Sequence, residues 1–269
     1  MLPQTLSNEA LAVIDQYLHF RAETSLLPDG SPASPNECSI PYFNNRTTKA
    51  RIALRAYIGK GSPEDIRDEL NILLIKGKIN IKELDGTTLK KILVDNNLGI
   101  ECSGFAYHVL NAESRKRGFG DISKNLSFVR CQGLLGKIIC SFRPAENCDV
   151  ITFASEENSR LVALNEIEPG DIITMENDSA ESERNHVLVI VSVNPKENGQ
   201  MKINYAHAVS YPEDGLYGSS VRQGSIEIKP ADKSITDGLW TEEDRQGENN
   251  RLFQRALKSK TEVRRLRWF

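Results

Sequence analysis

The stretch Leu98-Gly-Ile-Glu-Cys-Ser-Gly-Phe-Ala-Tyr-His-Val-Leu110 carries two signals at once. A short apolar segment runs into Glu101-Cys102-Ser103-Gly104, and from Cys102 onward Phe105, Ala106, Val109 and Leu110 recur at helical spacing on one face. Cys102 therefore heads an amphipathic helix whose apolar stripe packs into a core. At that end of a helix the first N–H groups lack partners and the macrodipole places partial positive charge, which stabilises a thiolate. Position alone leaves a second reading open, in which Cys102 is a small buried hydrophobe, the usual fate of a free cysteine.

The histidines decide between the two readings. The chain has 4 of them, and His186 and His207 bracket its most strongly β-forming segment. His186-Val-Leu-Val-Ile-Val-Ser-Val193 is rich in β-branched residues, Asn194 to Gly199 supplies a turn, and Met201 to Ser210 returns. A symmetric turn is centred between Lys196 and Glu197, which is also midway between 186 and 207. A regular hairpin then sets the two histidines directly opposite each other on one face, about 5 Å apart at Cβ. A helix-end thiol and facing histidines are the parts of a thiol hydrolase. Cys102 attacks a carbonyl carbon, His186 takes its proton and later protonates the leaving group, and His207 orients the His186 ring. Backbone N–H groups at the start of the Cys102 helix serve as oxyanion donors.

Around this pair of signals the chain reads as helices first and sheet later. Residues 7 to 20 form a helix with Ser7 as N-cap, and Leu26 to Asn45, with four prolines, is a surface loop or arm. Arg51 to Tyr57 is compatible with a strand or a short helix. Gly59-Lys60-Gly61 is a turn, since the phosphate-loop spacing is absent. Ser62-Pro-Glu-Asp65 opens a helix running to about Lys76, with Ser at the N-cap, Pro at N1 and acids in the first turn. A further helix spans Gly86 to Asp95. Residues 111 to 160 form an insertion over one rim of the site, with Leu134 to Phe142 and Val150 to Phe153 as strands or short helices. Ile172 to Met175 and Ser225 to Lys229 add strands to the hairpin. The expected class is α+β, with a largely antiparallel sheet and the nucleophile helix packed on it. Residues 1–85 form an N-terminal helical extension with its Pro-rich arm, and 86–269 the catalytic domain.

The composition, 39% hydrophobic and 26% charged with a net charge of −3, points to no nucleic-acid or anionic-membrane partner. No apolar run approaches the roughly 20 residues of a membrane span. The first residues, MLPQTLSNEALAVIDQYLHF, have neither a basic nor a continuous apolar region of a signal peptide, so a cytoplasmic location is expected unless an export signal has been removed. The 5 cysteines contain no CxxC pair, and free thiols are the default without a secretory signal. Cys131, Cys140 and Cys148 lie close enough for a disulfide if the protein is exported. The basic end, Arg264-Arg-Leu-Arg267, follows the acidic Glu242, Glu243, Asp244 and Glu248. It reads as a docked terminal strand or solvated tail, and Asp171 and Glu227 as turn and strand-end residues.

Glu-Cys-Ser-Gly-Phe at 101–105 resembles the (D/E)CSG(F/L) signature of the NlpC-type papain-like cysteine peptidases. Ile167-Glu-Pro-Gly-Asp-Ile-Ile173 is similar to their strand entry, His186-Val-Leu-Val-Ile-Val to their catalytic-histidine strand, and Tyr205-Ala-His-Ala208 to their third polar position. The resemblance covers roughly residues 90 to 210. It implies a papain-like fold, a Cys102–His186–His207 triad, an acyl-enzyme, and hydrolysis of amide bonds typical of bacterial peptidoglycan stem peptides, with no metal or organic cofactor. Glu101 stands where many members that bind a free amine carry Asp. Glu101, Ser103, Tyr42 and Tyr205 are candidates for substrate contact, although packing is the commoner role for the two tyrosines. Two other functions use the same parts. A thiol acyltransferase or transglutaminase-like enzyme shares the acyl-enzyme, and a non-catalytic binding module would keep the fold alone.

Overall fold

The computed structural model describes residues 3–22, 37–44, 55–129, 131, 133–177, 185–196, 199–243 and 245–269. Most of the expected arm (26–36 together with 45), residues 51–54 of the undecided Arg51 to Tyr57 segment, and most of the loop before His186 lie outside the described residues. The strands are β1 (Gln4–Thr5), β2 (Phe20–Arg21), β3 (Glu37–Cys38), β4 (Ser159–Leu161), β5 (Ile172–Glu176), β6 (His186–Pro195), β7 (Met201–Val209), β8 (Ser220–Ile228), β9 (Leu239–Glu242), β10 (Arg245–Gln246) and β11 (Lys260–Leu266). The helices are α1 (Asn8–Leu18), α2 (Pro63–Gly77), α3 (Gly86–Asp95), α4 (Cys102–Lys116), α5 (Gly133–Phe142), α6 (Pro144–Asn147), α7 (Val150–Ala154), α8 (Gly215–Gly218) and α9 (Arg251–Lys258). The class is α+β, helix mixed with antiparallel sheet. Leu134 to Phe142 and Val150 to Phe153, left open between strand and helix, are helical.

The chain divides into two compact units. A sheet unit comprises Met1–Leu11, Ala106–His207 and Arg222–Phe269, and a helical unit comprises Ala12–Phe105 and Ala208–Val221. Residues 12–85 thus share a unit with 86–105.

In the sheet unit the strand order is β10-β9-β8-β7-β6-β5-β11-β4, with β1 also pairing β6. The Val- and Ile-rich β6 is buried on both faces along its first six residues, which is why it reads as a continuous apolar run and not an alternating one. The basic C-terminal strand is docked. β11 lies between β5 and β4, and its arginines are buried with partners. Arg265 grips Asp171 with two parallel bonds, Nε to Oδ1 at 2.7 Å and an Nη to Oδ2 at 2.9 Å. Asp171 is therefore a buried anchor of the terminal strand in addition to a turn residue.

The β6–β7 hairpin departs from the regular form. Pro195 pairs Met201, a later turn centre than the symmetric one, and an extra residue, Val191, bulges between Ile190 and Ser192. The later turn centre alone would move the partner of His207 by three places, an odd number that turns the two histidines to opposite faces. The bulge takes back one place. Carrying the Val189–Ala206 pairing one step on sets His207 across from Leu188, diagonal to His186 and on the same face. The expectation of directly opposite histidines is corrected to a diagonal pair.

In the helical unit, α2 begins as expected: Ser62 accepts from the Asp65 N–H and Asp65 caps the Ser62 N–H, a complete capping box after which Pro63 occupies N1. At α3 the Asp85 side chain alone caps, accepting the Thr88 N–H at 2.7 Å. Arg55–Ile58 is a 3-10 turn. The segment entering α4 is stitched down on two sides. Ile100 donates to Pro41 O at 3.0 Å and accepts from the Phe43 N–H at 3.1 Å, and Glu101 donates to Gly59 O at 2.9 Å.

Candidate active site

The helical unit builds the surroundings of the thiol. Cys102 is the first residue of α4, a buried cysteine outside any disulfide, and its neighbours on either side join one closed polar cluster. Lys60 Nζ donates to Ser103 Oγ at 2.7 Å, Ser103 donates to Glu101 Oε1, and the Lys60 ammonium also pairs with that oxygen. Asn44 Nδ2 reaches Glu101 Oε2 at 3.4 Å. Lys60, Glu101 and Ser103 are all buried, so the charges are taken out of water only because they meet each other. Two glycines make the approach possible. Gly59 has φ +76°, and a Cβ there would meet Phe43 O at 2.1 Å; a Cβ on Gly104 would meet Gly59 O at 2.5 Å. Glu101 and Ser103, singled out for substrate contact, are thus engaged with Lys60, a residue passed over as part of a turn. Tyr42 is half-buried and forms a bridge with Ile100.

The sheet unit builds the base. His186 Nε2 and His207 Nδ1 are 2.8 Å apart with the rings edge-on, 5.1 Å between centroids. His207 Nε2 lies 2.7 Å from Glu242 Oε2, both side chains being almost wholly buried. Arg222 stands 3.8 Å from the other carboxylate oxygen. Tyr205, the remaining candidate for substrate contact, is fully buried. Its ring lies between His207 and Trp240, at centroid distances of 5.6 and 5.7 Å, and its hydroxyl donates to Glu242 Oε2 at 3.5 Å.

If both rings are neutral, the hydrogen bonds order the protons of this line. The Glu242 carboxylate accepts only, so His207 Nε2 carries a hydrogen. Nδ1 of a neutral His207 is then an acceptor, His186 Nε2 must donate to it, and His186 Nδ1 is left as the bare, basic nitrogen. Burial, with Arg255 and His207 adding to it, holds the His186 pKa well below the ordinary histidine value. Its ring is neutral and able to accept a proton. Burial and the nearby Glu242 carboxylate likewise keep the Tyr205 phenol protonated.

Glu242 was the residue missed. It reads as one of several acids before a basic tail, yet it closes β9 as a buried strand residue. The available signal was alternation: Trp240 and Glu242 share a face of Leu239-Trp-Thr-Glu242, and a carboxylate on the face of a tryptophan points inward. The structure brings His186, His207, Tyr205 and Glu242 together in one unit, and Glu101, Ser103 and the Cys102 position together in the other.

Cys131 and Cys140 form a disulfide across a sequence separation of 9, and Cys38, Cys102 and Cys148 are not disulfide-bonded. The default of five free thiols is therefore corrected. Among the described residues no cluster of three His, Cys, Asp or Glu side chains is arranged to hold a metal ion, and no helix is long and apolar enough to cross a membrane. Compared with known protein families, with characterised proteins and with solved structures, the chain matches none.

Proposed function

We propose that the chain is a cysteine hydrolase of papain-like, NlpC-type fold that cleaves a peptide or related amide bond. The observation that carries this reading is the hydrogen-bonded line from His186 through His207 to Glu242. A neutral base, oriented by a second ring that is itself held by a carboxylate, is the arrangement a nucleophile needs. Cys102 is the nucleophile, favoured by its place at the head of a 15-residue helix. The thiol gives its proton to His186, the sulfur adds to the carbonyl carbon, and the oxyanion is met by helix N–H groups. Collapse forms a thioester and expels the amine, which takes the proton back from His186. Water, deprotonated by the same ring, then releases the acid and the free thiol.

By resemblance the substrate is a peptidoglycan-like stem peptide. The Cys131–Cys140 disulfide supports an oxidising compartment, where such peptides are met, in place of the cytoplasm first expected. The test is alkylation by iodoacetamide across pH. Cys102 should react far faster than Cys38 and Cys148, with an apparent pKa below about 7.5, and His186→Ala should abolish the advantage. Slow, uniform reactivity of all three thiols refutes the reading. Mass spectrometry of stem peptides incubated with the protein then separates hydrolysis from transfer to an amine.

A further inference from the structure

The sheet unit contains a cavity of about 710 Å³ that the proposed chemistry does not use. Its lining is mixed, with an apolar wall made of Leu164 and Ile167 from the turn before β5, Val193 and Pro195 at the end of β6, Met201 at the start of β7 and Ile228 at the end of β8. The volume falls within the range of about 300–1,000 Å³ typical of sites that enclose small organic ligands. It is remote from the histidines. Pro195 and His186 are the two ends of the ten-residue β6, and at about 3.3 Å per residue they are about 30 Å apart.

The charges at its rim are unequal in their engagement. Glu168 pairs with Arg265 at 3.0 Å and Lys196 with Glu227 at 2.6 Å. Asp232 accepts the Lys229 backbone N–H at 2.7 Å. Glu166, on the turn that carries Leu164, is a lining carboxylate with no ion pair among the described residues. At the β8 end the side chains of Lys229 and Lys233 are exposed and likewise have no ion pair among the described residues. One end of the cavity thus offers two exposed ammonium groups, of which Lys233 also lies within electrostatic reach of the Asp237 carboxylate.

We propose that this cavity is a second binding site, for a small anionic amphiphile whose ring or short chain lies on the Val193–Met201–Ile228 wall and whose acid group meets Lys229 and Lys233. An apolar body gains by covering the apolar wall, and an acid group gains two charge-assisted contacts. The site is separate from the thiol chemistry and stands or falls without it.

The probe is 8-anilinonaphthalene-1-sulfonate, followed by fluorescence on the full chain, with the uncharged N-phenyl-1-naphthylamine in parallel. The wild-type protein should bind one equivalent of the sulfonate saturably. Met201→Trp, which adds bulk to the apolar wall, should raise the Kd for both probes by about tenfold or more. Lys229→Glu with Lys233→Glu, at exposed positions that do not endanger folding, should raise the Kd for the sulfonate by about tenfold or more and leave the neutral probe within about twofold. An unchanged sulfonate Kd in the lysine variant overturns the anionic ligand. An unchanged Kd for both probes in a folded Met201→Trp protein, checked by circular dichroism, overturns the site itself. If that variant does not fold, Ile228→Phe takes its place with the same two outcomes.

Discussion

Replacing Glu242 by Gln isolates what its charge contributes to the histidine line. The amide keeps the shape and one acceptor oxygen but loses the negative charge that meets the His207 Nε2–H at 2.7 Å. Hydrogen bonds to charged groups contribute about 1.5–3 kcal/mol, and more is lost when the partner stays buried. His207 is fully buried, and Arg222, 3.8 Å from the other oxygen, loses part of its counter-charge too. We expect a loss of about 2–3 kcal/mol, which for a chain of this length lowers Tm by about 4–12 °C. The sharper readout is the proton pattern. In the wild type, long-range 15N NMR of the imidazoles should show protonated Nε2 and bare Nδ1 in both His186 and His207. The Gln side chain can turn either its oxygen or its NH2 group toward His207, so the variant should show mixed tautomers at both rings. Unchanged tautomers together with an unchanged Tm refute the argument that the carboxylate orders the line.

Three further outcomes follow from buried groups. Because His186 binds a proton less readily folded than unfolded, its contribution to stability is complete above about pH 6.5 and falls as pH drops below it, by up to about 1.4 kcal/mol per pH unit. Urea midpoints between pH 5 and 8 should show this slope, and His186→Gln should flatten it; equal slopes would exclude His186 as the source. Lys60→Met leaves the buried Glu101 carboxylate without its cation and should cost about 3–5 kcal/mol in urea unfolding, most of it recovered in Lys60→Met/Glu101→Leu. A double variant no better than the single would show that the cost is packing, not charge. Removing the Cys131–Cys140 disulfide, which closes a loop with a sequence separation of 9, should cost about 2–3 kcal/mol by the chain-entropy model. Equal unfolding midpoints with and without dithiothreitol would contradict it.

What the sequence revealed about this chain was local, and what it concealed was brought from a distance. The α2 start at Ser62, the bounds of α3 and the β6 strand depend on caps and periodicity within a few residues, and each was legible. Lys60 and Glu242 were not. Lys60 finds Ser103 across a sequence separation of 43, and His207 finds Glu242 across one of 35. A lysine between two glycines reads as solvated until the Ile100 segment is laid against it. An acid near a basic tail reads as surface until the order β9-β8-β7 brings its strand toward the histidines.

The hairpin shows how a right conclusion rested on a wrong register. Directly opposed histidines were expected from a symmetric turn; the structure has a later turn centre and a bulge, and each departure by itself is of odd length. Only because both occur does the face survive. The bulge is in turn held from outside the hairpin. The Val191 carbonyl, released from the β6–β7 ladder, accepts the Leu6 N–H at 2.9 Å and the Thr5 hydroxyl at 3.3 Å. An orphaned carbonyl here would cost free energy comparable to a lost hydrogen bond and favour the unbulged pairing. That pairing sets His207 across from Val189, on the face away from His186. The two-residue strand β1, which carries no chemical group of its own, therefore helps to decide whether the imidazoles meet. The meeting of His186 and His207 is a property of three strands, not of one hairpin.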